Sequence, residues 1–482
     1  MMSNLSITSR MIEEATGLFC VKYLDLVAGN RKDGYDSIFR VKKYYHESFK
    51  RTKKQLLNVR ERKMIAAVAN YRKMLDYRWT IVIVMLLGSV INYLDRVNLS
   101  IANTTIGQEF GLDPVQMGLL LSAFMWPYAL ANLPAGWLVD KFGTKKIFMW
   151  GIVIWSLATI AGGFVQGFMS MYITRMILGI AEAPFFIIGG QITQQYFRPE
   201  ERGMASSIIN LGPKIANGFA PPLLTFLLIW MGWRGMFITL GVTGFVIAFL
   251  WIKYYKEDMN DKATQLVQTE DKAKVNFWAL FNHPTSWWFN IGNIGSSYVF
   301  WLYFTWLPTY LTTHRGMSLT QAGWVAAIPF IAGVIAVPIG GWISDYLIKR
   351  GMNVIRARLV PTVGGCILAA VAVIPVNYIQ DTTWAMVLIT ISLFAGALRV
   401  GVLWALVGDL TPSEAVGTFG GIQNFASFIG ATLAPIGTGY ILKLTNSFDY
   451  VFVVSGVLCL IGAISYALIS KKITSEDLLP TK

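Results

Sequence analysis

Residues 136–146 read GWLVDKFGTKK, and the opening of that run returns 205 residues later as Gly341-Trp342-Ile343-Ser344-Asp345. Each copy closes an apolar stretch of about 20 residues, the length that crosses a ~30 Å hydrocarbon core. A motif repeated at that offset divides the chain into two similar halves. The turn after each copy is expected to face the cytoplasm, with the small first residue letting two helices approach closely. In the first copy the aspartate sits beside Lys141, Lys145 and Lys146. Gly136, Asp140, Lys141, Gly143, Gly341 and Asp345 are therefore candidate gate residues, and the same residues also suit a plain helix-packing turn.

Outward from these two copies, apolar stretches alternate with short polar connectors. The expected spans are 79–101, 115–138, 147–168, 170–193, 204–228, 234–254, 287–311, 321–344, 357–378, 383–407, 416–440 and 449–470. The longest polar interruption, about 255–285, splits them six and six. The expected organisation is a basic extension 1–75, a six-helix bundle 76–255, a linker 256–285, a second six-helix bundle 286–472 and a short tail 473–482. The fold class is thus all-α integral membrane, with 12 transmembrane helices.

Composition agrees. Charged residues make up only 14% of the chain, against about 25% in an average soluble domain, and mean hydropathy is +0.50, which excludes an ordinary water-soluble enzyme. The first 78 residues hold 17 of the 41 Lys and Arg, so the net charge of +14 is mostly a property of the tail. Basic residues flanking a first apolar span face the cytoplasm and its anionic leaflet more often than they bind nucleic acid. If the tail is cytoplasmic and sides alternate, the later loops place 17 further Lys and Arg on that side and only Arg234, Arg315 and Lys443 on the other. The expected location is the cytoplasmic (inner) membrane, multi-pass, with both termini cytoplasmic.

Cys20, Cys366 and Cys459 lack metal or disulfide spacing, and His46, His283 and His314 are scattered. Without a phosphate-binding loop, metal cluster or nucleophile motif, no cofactor is expected, and energy would come from an ion gradient. The tail from about Ser37 to Lys73 has three readings: a helix on the anionic leaflet, a partner-binding segment, or translated sequence upstream of a start at Met64 or Met74.

The run GWLVDKFGTKK resembles the loop between helices 2 and 3 that marks the major facilitator superfamily, whose second half repeats it where Gly341 to Asp345 stand. The resemblance covers about residues 75–472. It implies two six-helix bundles, each holding inverted three-helix repeats, around one central site reached alternately from either side. A single-chain, monomeric transporter is the default for such a fold.

Ionisable residues inside spans are expensive and mark functional sites. Helix 1 carries INYLDRVNLS, in which Asn92, Asp95, Arg96, Leu99 and Asn103 form a polar stripe expected to line a cavity. Helix 4 carries Arg175 and Glu182, seven residues or about two turns apart, expected to look into the same cavity. The segments NYLDRVNLS and RMILGIAEAPFF together resemble the anion:cation symporter branch of the superfamily. That branch includes bacterial galactonate, glucarate and hexuronate proton symporters and, more distantly, sialin and vesicular glutamate carriers. The resemblance implies Asp95 and Glu182 as proton carriers and Arg96 and Arg175 as ligands or switches for a carboxylate. It also implies Tyr93, Tyr128, Trp404 and Asn424 as contacts for a polyol chain. Asn293 and Ser297 on helix 7 are lesser candidates of that kind.

The chain departs from that pattern at Lys214 and Arg399, where small, amide or hydroxyl residues are usual. If both line the pocket, the membrane interior has more positive than negative groups, which favours an anion with more than one charge. Pairing of Arg399 with Asp409 is the competing arrangement. The expected function is import of an organic anion, a sugar acid or related carboxylate, by proton symport. An exchanger or exporter is the alternative within transport, and a transport-like sensor the alternative outside it.

Overall fold

The structure is a computed structural model, and it describes residues 77–197, 199–255, 277–412 and 415–478. The extension 1–75 and most of the linker, with every expectation attached to them, lie outside these residues.

The described residues are helical almost throughout, and several helices start where the sequence supplies a side-chain cap. Helix α1 runs Tyr77–Phe110. Asp113 then caps α2, Pro114–Ser122, accepting from the Gln116 amide while Gln116 bonds back to the Asp113 amide. That reciprocal box, with proline at the first helical position, satisfies amides that a helix start would otherwise leave unpaired. Helix α3, Met125–Phe142, stops at Gly143, whose φ of 85° suits only glycine without strain. Helices α4 (Thr144–Gly162), α5 (Phe168–Glu182) and α6 (Pro184–Tyr196) follow. The 56-residue helical stretch α7, Pro199–Tyr254, turns at Gly232 with a φ of 70°, which separates the fifth and sixth expected spans.

The second half starts with a short helix, α8 (Phe277–Asn282), then α9 (Pro284–Thr309) and α10 (Leu319–Lys349). A second capping box, Ser318 with Gln321, opens α10. Then come α11 (Val354–Val373), α12 (Thr382–Leu398), α13 (Val400–Leu410), α14 (Val416–Thr445) and α15 (Asp449–Ala467). Nine helices among the described residues are long and apolar enough to cross a membrane by themselves. The turn at Gly232, the broken pair α2–α3 and the more polar α9 are consistent with the twelve expected crossings.

Besides the second span, which breaks between α2 and α3, the fourth and tenth spans are irregular in mid-course. The fourth breaks between α5 and α6 at Ala183, just after Glu182 and before Pro184, whose missing N–H leaves a carbonyl without its helical partner. The tenth breaks between α12 and α13 at Arg399 itself. Ala183 and Arg399 both keep right-handed helical dihedrals, so each irregularity is confined to one turn and the span continues through it.

The halves meet at one end. The main chain of Gly118 on α2 abuts the Pro435 carbonyl of α14, and Gly439 abuts the Pro114 carbonyl, so a β-carbon at either would strike backbone. Ser100 donates to the carbonyls of Phe304 and Thr305 at 2.8 Å, and Thr309 bonds Asn103. Lys443 reaches Asp113 at 2.8 Å. At the opposite end, which carries residues 136–146 and 341–345, helices α6 and α13 pack on elements of their own halves.

Close approach at the repeated motif falls on other glycines than those expected. A β-carbon at Gly136 would meet nothing within 4 Å, and one at Gly341 only the Gly401 carbonyl at 3.9 Å. The tight positions are Gly340, against the Leu398 backbone, and Gly401, against the Val337 carbonyl. The second-copy aspartate does pair with a basic residue: Arg358 reaches Asp345 at 2.7 Å and Asp409 at 3.3 Å. In the first copy the Lys141 ammonium lies 4.6 Å from the Trp137 ring centroid.

Candidate functional site

A cavity of about 260 Å³ lies between the halves in the middle of the helices. The first half contributes Tyr93 from α1 and Lys214 and Asn217 from α7; the second contributes Asn293, Ser297, Arg399, Trp404 and Asn424 among others. Of the eight expected ligand residues, Tyr93, Lys214, Arg399, Trp404 and Asn424 line it. Arg96, Arg175 and Tyr128 do not, nor do Asp95 and Glu182.

Those five are packed behind its wall, inside the first half. The polar stripe of α1 therefore faces neighbouring helices and not the cavity, which corrects the expectation for Asn92, Asp95 and Leu99, all buried. Asn103 instead lines a separate cavity of about 510 Å³ at the end where the halves meet. Arg96 donates from Nε to a Glu182 carboxylate oxygen at 3.0 Å, with both side chains buried. Its guanidinium carbon is 4.6 Å from the Tyr93 and Phe124 ring centroids and 4.5 Å from that of Tyr128. Three aromatic faces and one carboxylate thus replace the water that this cation loses on burial.

Arg175 is held differently. It donates to the Asp95 main-chain carbonyl at 2.8 Å and to the Asn98 side-chain oxygen at 2.5 Å. The Asp95 carboxylate oxygens are buried and make no hydrogen bond to described residues. An ionised carboxylate in that position would be costly, and protonation removes most of the cost. The second acid, Glu182, occupies the last turn of α5 directly before the break, so both acids lie where α1 and α5 face each other. The expectation that Arg175 and Glu182 look into one cavity gives way to this contact, because the α5 face that carries them is covered by α1.

Tyr93 connects the two regions: its ring lines the cavity on one side and touches Arg96 on the other. Phe428, also on the cavity wall, packs on Tyr128 at 4.7 Å between ring centroids. Tyr93 and the Tyr128–Phe428 contact thus lie between the cavity and the Arg96–Glu182 pair.

Within the cavity Arg399 donates to Asn293 at 3.1 Å and Ser297 at 3.3 Å, both neutral partners. Asn293 is fixed by its own bonds to the main chain and side chain of Gln423, and Ser297 by a bond to Ser427 at 2.8 Å. Pairing with Asp409 does not occur, since that carboxylate is taken by Arg358. Lys214 makes no hydrogen bond or ion pair with any described residue, and Asn424 makes no hydrogen bond either. Among the described residues no aspartate or glutamate lines the cavity.

Sequence reasoning missed Asn98, three positions from Asp95 and so one turn along α1; an amide in an apolar span was the available signal. It also missed Gln423, Ser427 and Phe428, which only the crossing of α9 and α14 brings to the wall. Among the described residues no cluster of metal-ligating side chains occurs. Cys366 and Cys459 are buried, and the Cys459 thiol donates to the Cys366 carbonyl at 3.3 Å.

Comparisons with known proteins agree with this arrangement. The family model of the Major Facilitator Superfamily matches residues 85–435. The "Probable L-galactonate transporter" of Escherichia coli (strain K12) is 35% identical over 398 residues, covering 80% of this chain and 88% of its own. The "Probable galactarate/D-glucarate transporter" of the same organism is 34% identical over 443 residues, covering 86% and 98%. Among solved structures, a bacterial homolog of the human lysosomal transporter Spinster, in an inward-facing and occupied conformation, superposes with a TM-score of 0.71 at 19% identity, covering 84% of this chain and 99% of its own. The fold, the match across most of both halves and the identity to these relatives place the chain in the major facilitator superfamily, among membrane transporters and not among enzymes.

Proposed function

We propose that this protein imports an organic anion of the sugar-acid type by proton symport, by alternating access of the central cavity. One observation carries the reading: a cavity midway between the halves is lined by two cationic side chains and by hydroxyl, amide and aromatic groups, with no carboxylate among the described residues. Cations attract the acid, amides and hydroxyls bond to a polyol chain, and Trp404 and Tyr93 pack on its carbon faces. The names of the two E. coli relatives support the same substrate class.

Proton coupling rests on the two acids behind the wall. Asp95 carries the proton where it is fully buried beside Thr159, and Glu182 exchanges its proton against the grip of Arg96. Substrate in the cavity shifts Tyr93, which loosens or tightens the Arg96–Glu182 pair and so links anion occupancy to protonation. In support of this reading, the halves touch at the end bearing Asp113 and Lys443, while α6 and α13 pack within their own halves at the end bearing 136–146 and 341–345, which loop charge assigns to the cytoplasm. This is the state from which anion and proton leave together in an importer. Purified protein in proteoliposomes tests the reading: an inward proton gradient should drive accumulation of an aldonate or aldarate, and an uncoupler should collapse it. Exchange that is indifferent to the gradient would favour an anion exchanger.

A further inference from the structure

The six ionisable groups inside the membrane separate into two sets. Asp95, Arg96, Arg175 and Glu182 lie together in the first half, two acids with two guanidiniums, behind the cavity wall. Lys214 and Arg399 are left over, and both line the central cavity. They stand on opposite halves, Lys214 on α7 and Arg399 at the break between α12 and α13. Neither has an anionic partner: Lys214 bonds to no described residue, and the bonds of Arg399 go to a neutral amide and a neutral hydroxyl, with its buried Nε unpaired.

We propose that Lys214 and Arg399 form a two-point clamp for a substrate with two separated anionic groups, one held by each half, and that this clamp sets selectivity for dianions over monoanions. The inference rests on the anion-transport reading above and narrows its substrate class. Two cations facing a small cavity repel each other until anions neutralise both. A monoanion leaves one of them facing the cavity uncompensated, whereas an α,ω-dianion satisfies both ends. Arg399 is pre-positioned by Asn293 and Ser297, which hold its guanidinium plane without consuming its charge. Lys214, on a flexible stem with no protein partner, adapts to the length of the chain. Because the two residues lie on different halves, a bound dianion also bridges the surfaces that must move past each other.

The test is binding to the full-length protein in nanodiscs, by isothermal titration, of a six-carbon aldarate and of the aldonate with the same hydroxyl configuration. These ligands differ only in the second carboxylate. The wild-type protein should bind the aldarate at least about 10-fold more tightly, the scale of one charge-assisted contact. Lys214→Gln and Arg399→Gln should each bring the two affinities within about threefold, chiefly by weakening the aldarate. Lys214→Arg, which retains the charge, should keep the preference. If loss of the Asn293 and Ser297 bonds unfolds Arg399→Gln, then Lys214→Gln, which removes no hydrogen bond or ion pair to a described residue, decides alone. Equal wild-type affinities, or a preference that survives Lys214→Gln, would overturn the clamp while leaving anion transport standing. If neither ligand binds and no organic anion is transported, the transport reading fails and the clamp with it.

Discussion

Arg96 and Glu182 join α1 to the break in the fourth span through a single 3.0 Å bond inside an aromatic enclosure, with neither side chain open to the cavity. Glu182→Gln keeps the shape and an acceptor oxygen but removes the charge. Breaking a buried pair by removing one partner costs on the order of 3–5 kcal/mol when the other charge is left uncompensated, and the three rings around Arg96 should hold the loss below that. Thermal unfolding in detergent should show a clear drop in midpoint. Gradient-driven uptake should fall to background, while anion exchange across the membrane continues at a measurable rate.

At the sealed end, Asp113 pairs with Lys443 across the two halves and also caps α2. Its carboxyl is held below the usual aspartate range, first by the bond from Lys443 and then by the Gln116 amide. A carboxylate whose pKa is depressed in the closed arrangement stabilises it at neutral pH and loses that effect as pH falls through the lowered value, below about 4. Asp113→Asn should therefore mimic acid at neutral pH and raise the population open at this end. Labelling of a cysteine placed at Thr309 by a membrane-impermeant reagent reads the change; unaltered labelling would mean that glycine packing alone holds the seal.

The glycines of the repeated motif make a sharper contrast. Gly340→Ala and Gly401→Ala each push a methyl into backbone of the facing helix and should cost on the order of 1–3 kcal/mol, seen as lower yield of folded protein and a lower unfolding midpoint. Gly136→Ala and Gly341→Ala meet open space and should leave the stability of this state near that of wild type.

Arg358 ties α11 to both α10 and α13 through Asp345 and Asp409. The pairs are partly solvated, so Arg358→Ala should cost only about 1 kcal/mol of stability. It should alter transport rate more than substrate affinity, since the network lies at the open end and not at the cavity.

Much of the architecture is legible in the sequence because the membrane fixes it: only helices and closed barrels satisfy their backbone in lipid, and apolar runs of about 20 residues with their loop charge draw helical spans. Of the residues on the second half that line the cavity, Trp404 and Asn424 are singled out by the resemblance and Arg399 by the chain's departure from it. Which wall a charge faces is harder to read. Arg175 and Glu182 share a helical face, but periodicity alone cannot tell a face covered by α1 from one open to a cavity. Likewise GW-x-x-D marks the turn, yet the close approach falls on Gly340 and Gly401, because helix crossing depends on the tilt of both partners.

The most direct test of the central claim is uptake of a radiolabelled aldarate into proteoliposomes under an inward proton gradient, with Asp95→Asn and Arg175→Ala beside the wild type. Proton symport predicts accumulation above equilibrium that an uncoupler abolishes and that both variants lack. Uptake that only equilibrates, insensitive to the gradient and retained in Asp95→Asn, would contradict it.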